Sequence, residues 1–398
     1  MQTATSFEPG APTRSGTIPL SVPEIRGNEA KYLSECVSSG WVSSVGPFVD
    51  RFEQQVANYI GARCAVAMVN GTSALHIALL LAGVKPDDEV LVSDLTFIAP
   101  ANAIRYANAW PVFIGARRDD WQIDANIVRG FLENECVAKS SALFNKRTNH
   151  RIGAIIAVHI LGHPADLDAL SETARLFGIP LIEDCAEAIG AEYKNRRVGT
   201  FGLCSTFSFN GNKVITCGGG GMLVTNDDTL ADRAKYLSTQ AKDDPLEYVH
   251  ENIGYNYRLT NLQAAMGCAQ LEQLDDFLAI KADVARRYRE GLADVPGVSL
   301  MPVAPWAKSI FWLNTILIDE AVFGRSSREL LRELEAQRIQ SRPLWQPMHL
   351  SAAHRGAQSV SCDISEQLYN QALSLPSSVG LPAGDQQRVI EIIRHAAR

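Results

Sequence analysis

The sequence lacks any run of about 18 apolar residues, the length a membrane-spanning helix needs. Its apolar stretches stay short, as in "ALLLAGV". Lys and Arg never cluster beyond a pair or so, and the formal net charge of 398 residues is -7. Both facts argue against a nucleic-acid backbone as ligand. Among the eight cysteines, Cys36, Cys64, Cys136, Cys185, Cys204, Cys217, Cys268 and Cys362, no CxxC pair and no compact spacing occurs. That scatter excludes a disulfide framework or a structural zinc site and predicts free thiols in a reducing cytoplasm, with no metal. The N-terminal "MQTATSFEPGAPTRSGT" has no basic segment followed by an apolar one. It reads as a flexible arm and not as a secretory signal.

What is present is an ordinary globular composition, 46% hydrophobic, long enough for two or three domains. From about residue 60 short β-branched runs alternate with helical ones: "CAVAMVN", "TSALHIALLLAGV", "DEVLVSD", "APANAIRYAN", "WPVFIGA", "IGAIIAVHI", "DLDALSETARLFG" and "IPLIEDC". "STFSF" and "GMLVT" add two further strands. This rhythm predicts an α/β fold, a mainly parallel sheet between helices. Residues 117–151 interrupt it with a polar, irregular piece that reads as a surface insertion. The resulting division is an arm at 1–25, a large domain at 26–274 and a smaller C-terminal α/β domain at 275–398.

In such sheets ligands bind beyond the carboxyl ends of the strands, where this sequence places its unusual residues. In "NGTSALHIAL", Thr72 and Ser73 open an apolar helix, serving either as plain N-caps or as contacts for an anion at the helix N-terminus. Phe97 in "LTFIAPANAI" is either core or a ring lying on a planar ligand. Asp184 closes an apolar strand in "PLIEDCAEAIG", with Glu187 three residues on. Apart from a helix cap, a carboxylate there calls for a cationic partner. Lys213 sits in "STFSFNGNKVITCGGGGMLVTND", between the strand ending at Ser208 and the glycines Gly218 to Gly221. Those glycines allow either a tight hairpin or close approach of backbone to a ligand. A phosphate near Thr72, Ser73 and Ser208, a flat ring at Phe97, a protonated ring nitrogen at Asp184 and a carbonyl carbon for Lys213 together describe pyridoxal 5'-phosphate.

The motifs "NGTSAL", "TFIAPANAI", "EDCAEAIG", "FSFNGNK", "GGGGM" and "GYNYRLTNLQAA" resemble, in order and spacing, the DegT/DnrJ/EryC1/StrS sugar-nucleotide aminotransferases. The resemblance covers nearly the whole chain from about Ile18. It implies fold-type I of pyridoxal-phosphate enzymes, a homodimer with shared active sites, and transamination of a keto sugar nucleotide with L-glutamate as donor. By that resemblance Lys213 is the lysine that bonds to the cofactor, Asp184 the partner of the ring nitrogen and Phe97 the residue over the ring. Thr72, Ser73 and Ser208 are phosphate contacts, and Asn256 is a phosphate contact from the neighbouring subunit. Glu187 stands where Gln or His is frequent, near the cofactor's phenolic oxygen.

More narrowly, "GWVSSVGPFVDRFE", "LFNKRTNHR", "STQAKDDPLEYVHENIGYNYRLTN" and "SRPLWQPMHL" resemble the legionaminic-acid-pathway branch. That branch aminates C4 of a UDP-linked 4-keto-6-deoxy-N-acetylhexosamine. The resemblance makes Trp41, Arg342 and His349 candidates for the sugar-nucleotide side, although core packing, a surface charge and a capped loop remain alternatives for them. His163 replaces an expected Asn, which points to altered sugar contacts, while His159 reads as a packed strand residue. The rival readings are a GDP-linked hexose, a free octulosonate, or a non-catalytic regulator. A dehydratase relative would carry His in place of Lys213, and no basic helix-turn-helix face supports DNA binding.

Overall fold

The computed structural model describes residues 16–140, 142–244 and 246–397. Of the arm expected at residues 1–25, residues 1–15 lie outside the described residues. The alternating runs form one eight-stranded sheet in the spatial order Cys64–Met68, Gly221–Thr225, Cys204–Ser208, Leu181–Asp184, Ile152–Val158, Glu89–Ser93, Trp110–Ile114 and Gln358–Val360. Gly221–Thr225 runs antiparallel to both its neighbours, and every other pairing is parallel. Ile152–Val158, Glu89–Ser93 and Leu181–Asp184 are buried at every residue. Continuous burial is what a central parallel strand acquires when helices cover both faces.

The sequence-based division needs correction in two places. Within 117–151, the helix Ala125–Asn134 buries Val128, Phe131 and Leu132 in the main core, so the piece is not merely a surface insertion. Its exposed part is the hairpin of Cys136–Lys139 and Ala142–Asn145. The C-terminal segment 275–398 is likewise not one unit. A second core gathers Val284, Tyr288, Leu292, Ile316, Leu373 and Ile390, beside the antiparallel strands Val298–Leu300, Asn314–Ile318 and Ala372–Leu375. However, Leu344, Met348 and Leu368 return to the main core, and Gln358–Val360 pairs with Trp110–Ile114. Ile18, from the arm, packs in the second core.

The helix Leu274–Leu292 joins the two cores: Leu274 and Phe277 face the first, Val284 and Tyr288 the second. Between them Lys281 is buried, its Nζ donating to the carbonyls of Trp312 at 2.6 Å and Ser377 at 2.5 Å. A neutral amine has two N–H groups for these two acceptors, whereas an ammonium brings a third. Burial lowers this lysine to about 7. Between that value and the unfolded one the unfolded chain holds the extra proton, so the group adds stability as pH rises. The stability difference between the natural chain and Lys281→Met is therefore expected to grow, by up to about 1.4 kcal/mol per pH unit above pH 7. Urea unfolding at pH 7, 8 and 9 checks this, and a pH-independent difference would show the lysine charged in the fold.

Candidate active site

The parallel strands deliver four loops to one edge of the sheet. Asn70–Thr72 follow Met68, Asp94–Phe97 follow Ser93, Asp184 ends its own strand, and Asn210–Lys213 follow Ser208. Between them opens a cleft of about 330 Å³ lined by Asn70, Gly71, Thr72, Leu75, Phe97, Ala99, Asp184, Ala186, Glu187, Ser208, Asn210, Asn212, Lys213, Trp312 and Trp345. Its volume falls in the range of small-molecule sites, about 300–1,000 Å³.

At one end lies the N-terminus of the helix Gly71–Leu81, whose first amides have no partner within the helix. The cap is Asn70, in extended conformation, and its Oδ1 accepts the Ser73 amide at 2.8 Å. Thus neither Thr72 nor Ser73 is the cap. Thr72 and Ser208 line the cleft, while Ser73 is buried beside it with its amide already taken. The glycines act one step away from the cleft. A Cβ at Gly221 would stand 2.4 Å from the Asn70 carbonyl carbon, so the bare strand start lets the Asn70–Gly71 turn close onto the sheet. Gly218, at φ +77°, makes the turn before it.

Lys213 is half-buried, and its position is over-determined. Trp312 Nε1 donates to the Asn212 carbonyl at 2.9 Å, Ser21 Oγ donates to the same carbonyl at 3.1 Å, and the Lys213 amide donates to Asn210 O at 3.0 Å. Nζ lies 4.0 Å from the centroid of the Trp312 ring and 3.4 Å from Glu187 Oε1. The ring face and the carboxylate both favour a cation there. Glu187 Oε2 accepts the amide of Leu161 at 2.8 Å, a residue held at φ +58°. Burial pushes the Glu187 carboxyl up, and Lys213 and the Leu161 amide pull against it.

Asp184 Oδ1 accepts the Ala186 amide at 3.0 Å, and among the described residues no other donor hydrogen-bonds this carboxylate. Burial pushes its pKa up, opposed by the Ala186 amide, Lys213 and His159. A buried carboxylate with so few partners suits a ligand that brings a cation. Behind it, His159 accepts the Ala165 amide at Nδ1, 3.0 Å, so its Nε2 carries the proton facing Glu183 at 3.3 Å. Glu183 also accepts the amides of Gly199, Phe201 and Gly202. His159 is thus a wholly buried strand-end residue beneath the site.

Other candidates are not brought to the cleft. Trp41 is 49% exposed, and its carbonyl accepts Asn261 Nδ2. Arg342 lines a separate cleft of about 580 Å³ with Arg338, Gln340 and Leu331. His349 has Nδ1 on Asp94 and Nε2 on Glu366 Oε1 at 3.0 Å, so both ring nitrogens are engaged away from the cleft. Asn256 is exposed and bridges Thr239. His163 is buried, with Nδ1 at the Pro164 carbonyl and Nε2 accepting the Ala304 amide, and it packs against Trp306. That leaves it no free nitrogen for a sugar. Residues unforeseen from the sequence are Trp312, Trp345 and the capping Asn70. Trp312 had no local signal, being far along the chain from Lys213, whereas Trp345 lies inside the quoted "SRPLWQPMHL".

A mainly parallel sheet bearing a lysine, a buried aspartate and a helix N-terminus around one cleft defines an α/β cofactor-dependent transferase. The DegT/DnrJ/EryC1/StrS aminotransferase family model matches residues 23–394, and the chain belongs to that family. It is 39% identical over 374 residues to the GDP-perosamine synthase of Caulobacter vibrioides, covering 94% of this chain and 96% of that one. To the GDP-perosamine synthase of Escherichia coli O157:H7 it is 38% identical over 378 residues, covering 94% and 96%. The crystal structure of DesI in the presence of its TDP-sugar product superposes with a TM-score of 0.86 at 28% identity, covering 96% of this chain and 94% of that one. The chain is a sugar aminotransferase of fold-type I that depends on pyridoxal 5'-phosphate.

Proposed function

We propose that this enzyme aminates C4 of a nucleotide-linked 4-keto-6-deoxy sugar, with L-glutamate as donor, for surface polysaccharide or nonulosonic acid synthesis. The observation that carries the reading is the single cleft joining Lys213, Asp184, Glu187, Phe97, Thr72 and Ser208. When bound, pyridoxal phosphate supplies an electron sink that acidifies the proton on the substrate carbon. The helix N-terminus at Gly71, with Thr72 and Ser208, holds the phosphate; Ser73 supports that turn through its bond to Asn70. Phe97 would cover a face of the cofactor ring, and Asp184 would keep its nitrogen protonated. Lys213 Nζ holds the cofactor and then moves the proton at the reacting carbon, as base and then as acid. Glu187 stands beside that amine and orients it.

The same reading includes a homodimer in which Asn256 reaches the phosphate of the neighbouring subunit. Asn256 is exposed and outside the lining of its own cleft, which is compatible with that role. The eight cysteines are all unpaired, which suits a reducing cytoplasm, and among the described residues no helix is long and apolar enough to cross a membrane.

For the substrate we favour UDP-4-keto-6-deoxy-N-acetylhexosamine, on the resemblance of "SRPLWQPMHL" and the 117–151 piece to the legionaminic-acid branch. A GDP-linked 4-keto hexose is the second reading, supported by the identity to GDP-perosamine synthases. Incubation with glutamate and a panel of UDP- and GDP-linked keto sugars, with products read by mass, separates them. The UDP substrate is expected to show a kcat/KM at least about tenfold higher, the scale of 1.4 kcal/mol in transition-state binding. An equal or higher value for the GDP sugar overturns the first reading in favour of the second.

A further inference from the structure

Two of the aromatic side chains that line the cleft stand on loops tied together outside it. Phe97 lies three residues beyond Asp94, and Trp345 four residues before His349. Asp94 is wholly buried at the end of Glu89–Ser93, its amide fixed to the Ile114 carbonyl at 2.8 Å. Its carbonyl accepts the Met348 amide at 2.9 Å, its Oδ1 accepts the His349 amide at 2.9 Å, and His349 Nδ1 lies 2.9 Å from both carboxylate oxygens. On the other side His349 Nε2 meets Glu366 of the helix Asp363–Gln371. We propose that Asp94 and His349 form an ionic clasp that sets the position of the Trp345 loop against the Phe97 loop, making His349 a positioning residue for the cleft.

Ionised carboxylates only accept hydrogen bonds, so an imidazole facing one through each nitrogen satisfies both only as the cation. Burial opposes the cation at His349, but Asp94 and Glu366 together outweigh it and hold the ring above its ordinary value. Cys362 also lies beside this pair, and burial and Asp94 raise the pKa of its thiol. Because the folded pKa is raised, both contacts are made at low pH, and the one to Glu366 is lost as pH rises through that value. Neutral His349 keeps Nδ1–H on Asp94 but turns a lone pair toward Glu366. Glu366 is the exposed arm and Asp94 the buried one, so the Asp94 contact dominates.

The clasp rests on the proposed function only for its effect on catalysis. Labelling the full-length protein with 5-fluorotryptophan and assigning Trp345 through Trp345→Phe gives a readout that needs no substrate. The Trp345 fluorine resonance is expected to titrate with a midpoint above about 6.5. Glu366→Gln should lower that midpoint, and His349→Gln should abolish the titration and displace the resonance. A Trp345 resonance that does not titrate, or that titrates unchanged in both variants, overturns the clasp. If His349→Gln does not fold, the midpoint shift in Glu366→Gln decides alone. In kinetics, His349→Gln should raise the KM for the sugar nucleotide about tenfold with a smaller change in kcat. A lost titration with an unchanged KM leaves the clasp standing and removes the acceptor from this side of the cleft.

Discussion

Lys213→Ala is expected to abolish turnover, on the order of 10⁴-fold or more, while the protein still takes up pyridoxal phosphate non-covalently. Among the described residues the lysine is the only cationic side chain lining the cleft, and its neighbours are arranged around the amine: the Trp312 face at 4.0 Å and Glu187 at 3.4 Å. No other amine stands in that lining among the described residues, so the covalent hold on the cofactor has no substitute. The phosphate end and Asp184 are untouched, which is why occupancy survives. Removing the amine also takes away a cation that holds the Glu187 carboxyl down, leaving burial to push it further up. Absorbance spectra and equilibrium dialysis measure occupancy while steady-state assays measure turnover. Wild-type-like turnover in the purified variant would refute the role.

Asp184→Asn is expected to lower the rate of the donor half-reaction by about 10²–10³-fold, with a much smaller loss of cofactor occupancy. The amide is nearly the same size and keeps the acceptor that meets the Ala186 amide. What it cannot do is neutralise a protonated ring nitrogen at a buried position. The cation therefore loses its counter-charge, and the ring is a weaker electron sink. Stopped-flow spectra with glutamate, compared with dialysis on the same preparation, separate the two effects. An unchanged half-reaction rate would remove Asp184 from this role.

Much of this site was legible because it is written in local features. The strands of the sheet announce themselves by β-branched runs, and Asp184, Ser208 and Thr72 stand out as polar residues where apolar runs stop. Phe97 and Lys213 were likewise placed by the loops that follow "DEVLVSD" and "STFSF". A period of two or 3.6 residues reports which face of an element is buried, and it does so within a window of the chain.

Tertiary structure alone decided the rest, because pairings between distant segments leave no mark on local periodicity. Three residues, Gln358–Val360, carry too little pattern to reveal that they close the edge of the main sheet. Trp312 reaches Lys213 only because the second core and Lys281 fix its backbone beside the first. "SRPLWQPMHL" reads as one motif, but the fold separates its members: Arg342 faces another cleft, Trp345 enters the active one and His349 turns to Asp94. Sequence names the chemical groups, since chemistry belongs to single side chains. Which groups share a cleft depends on the distances between elements, and those are set by packing of the whole chain.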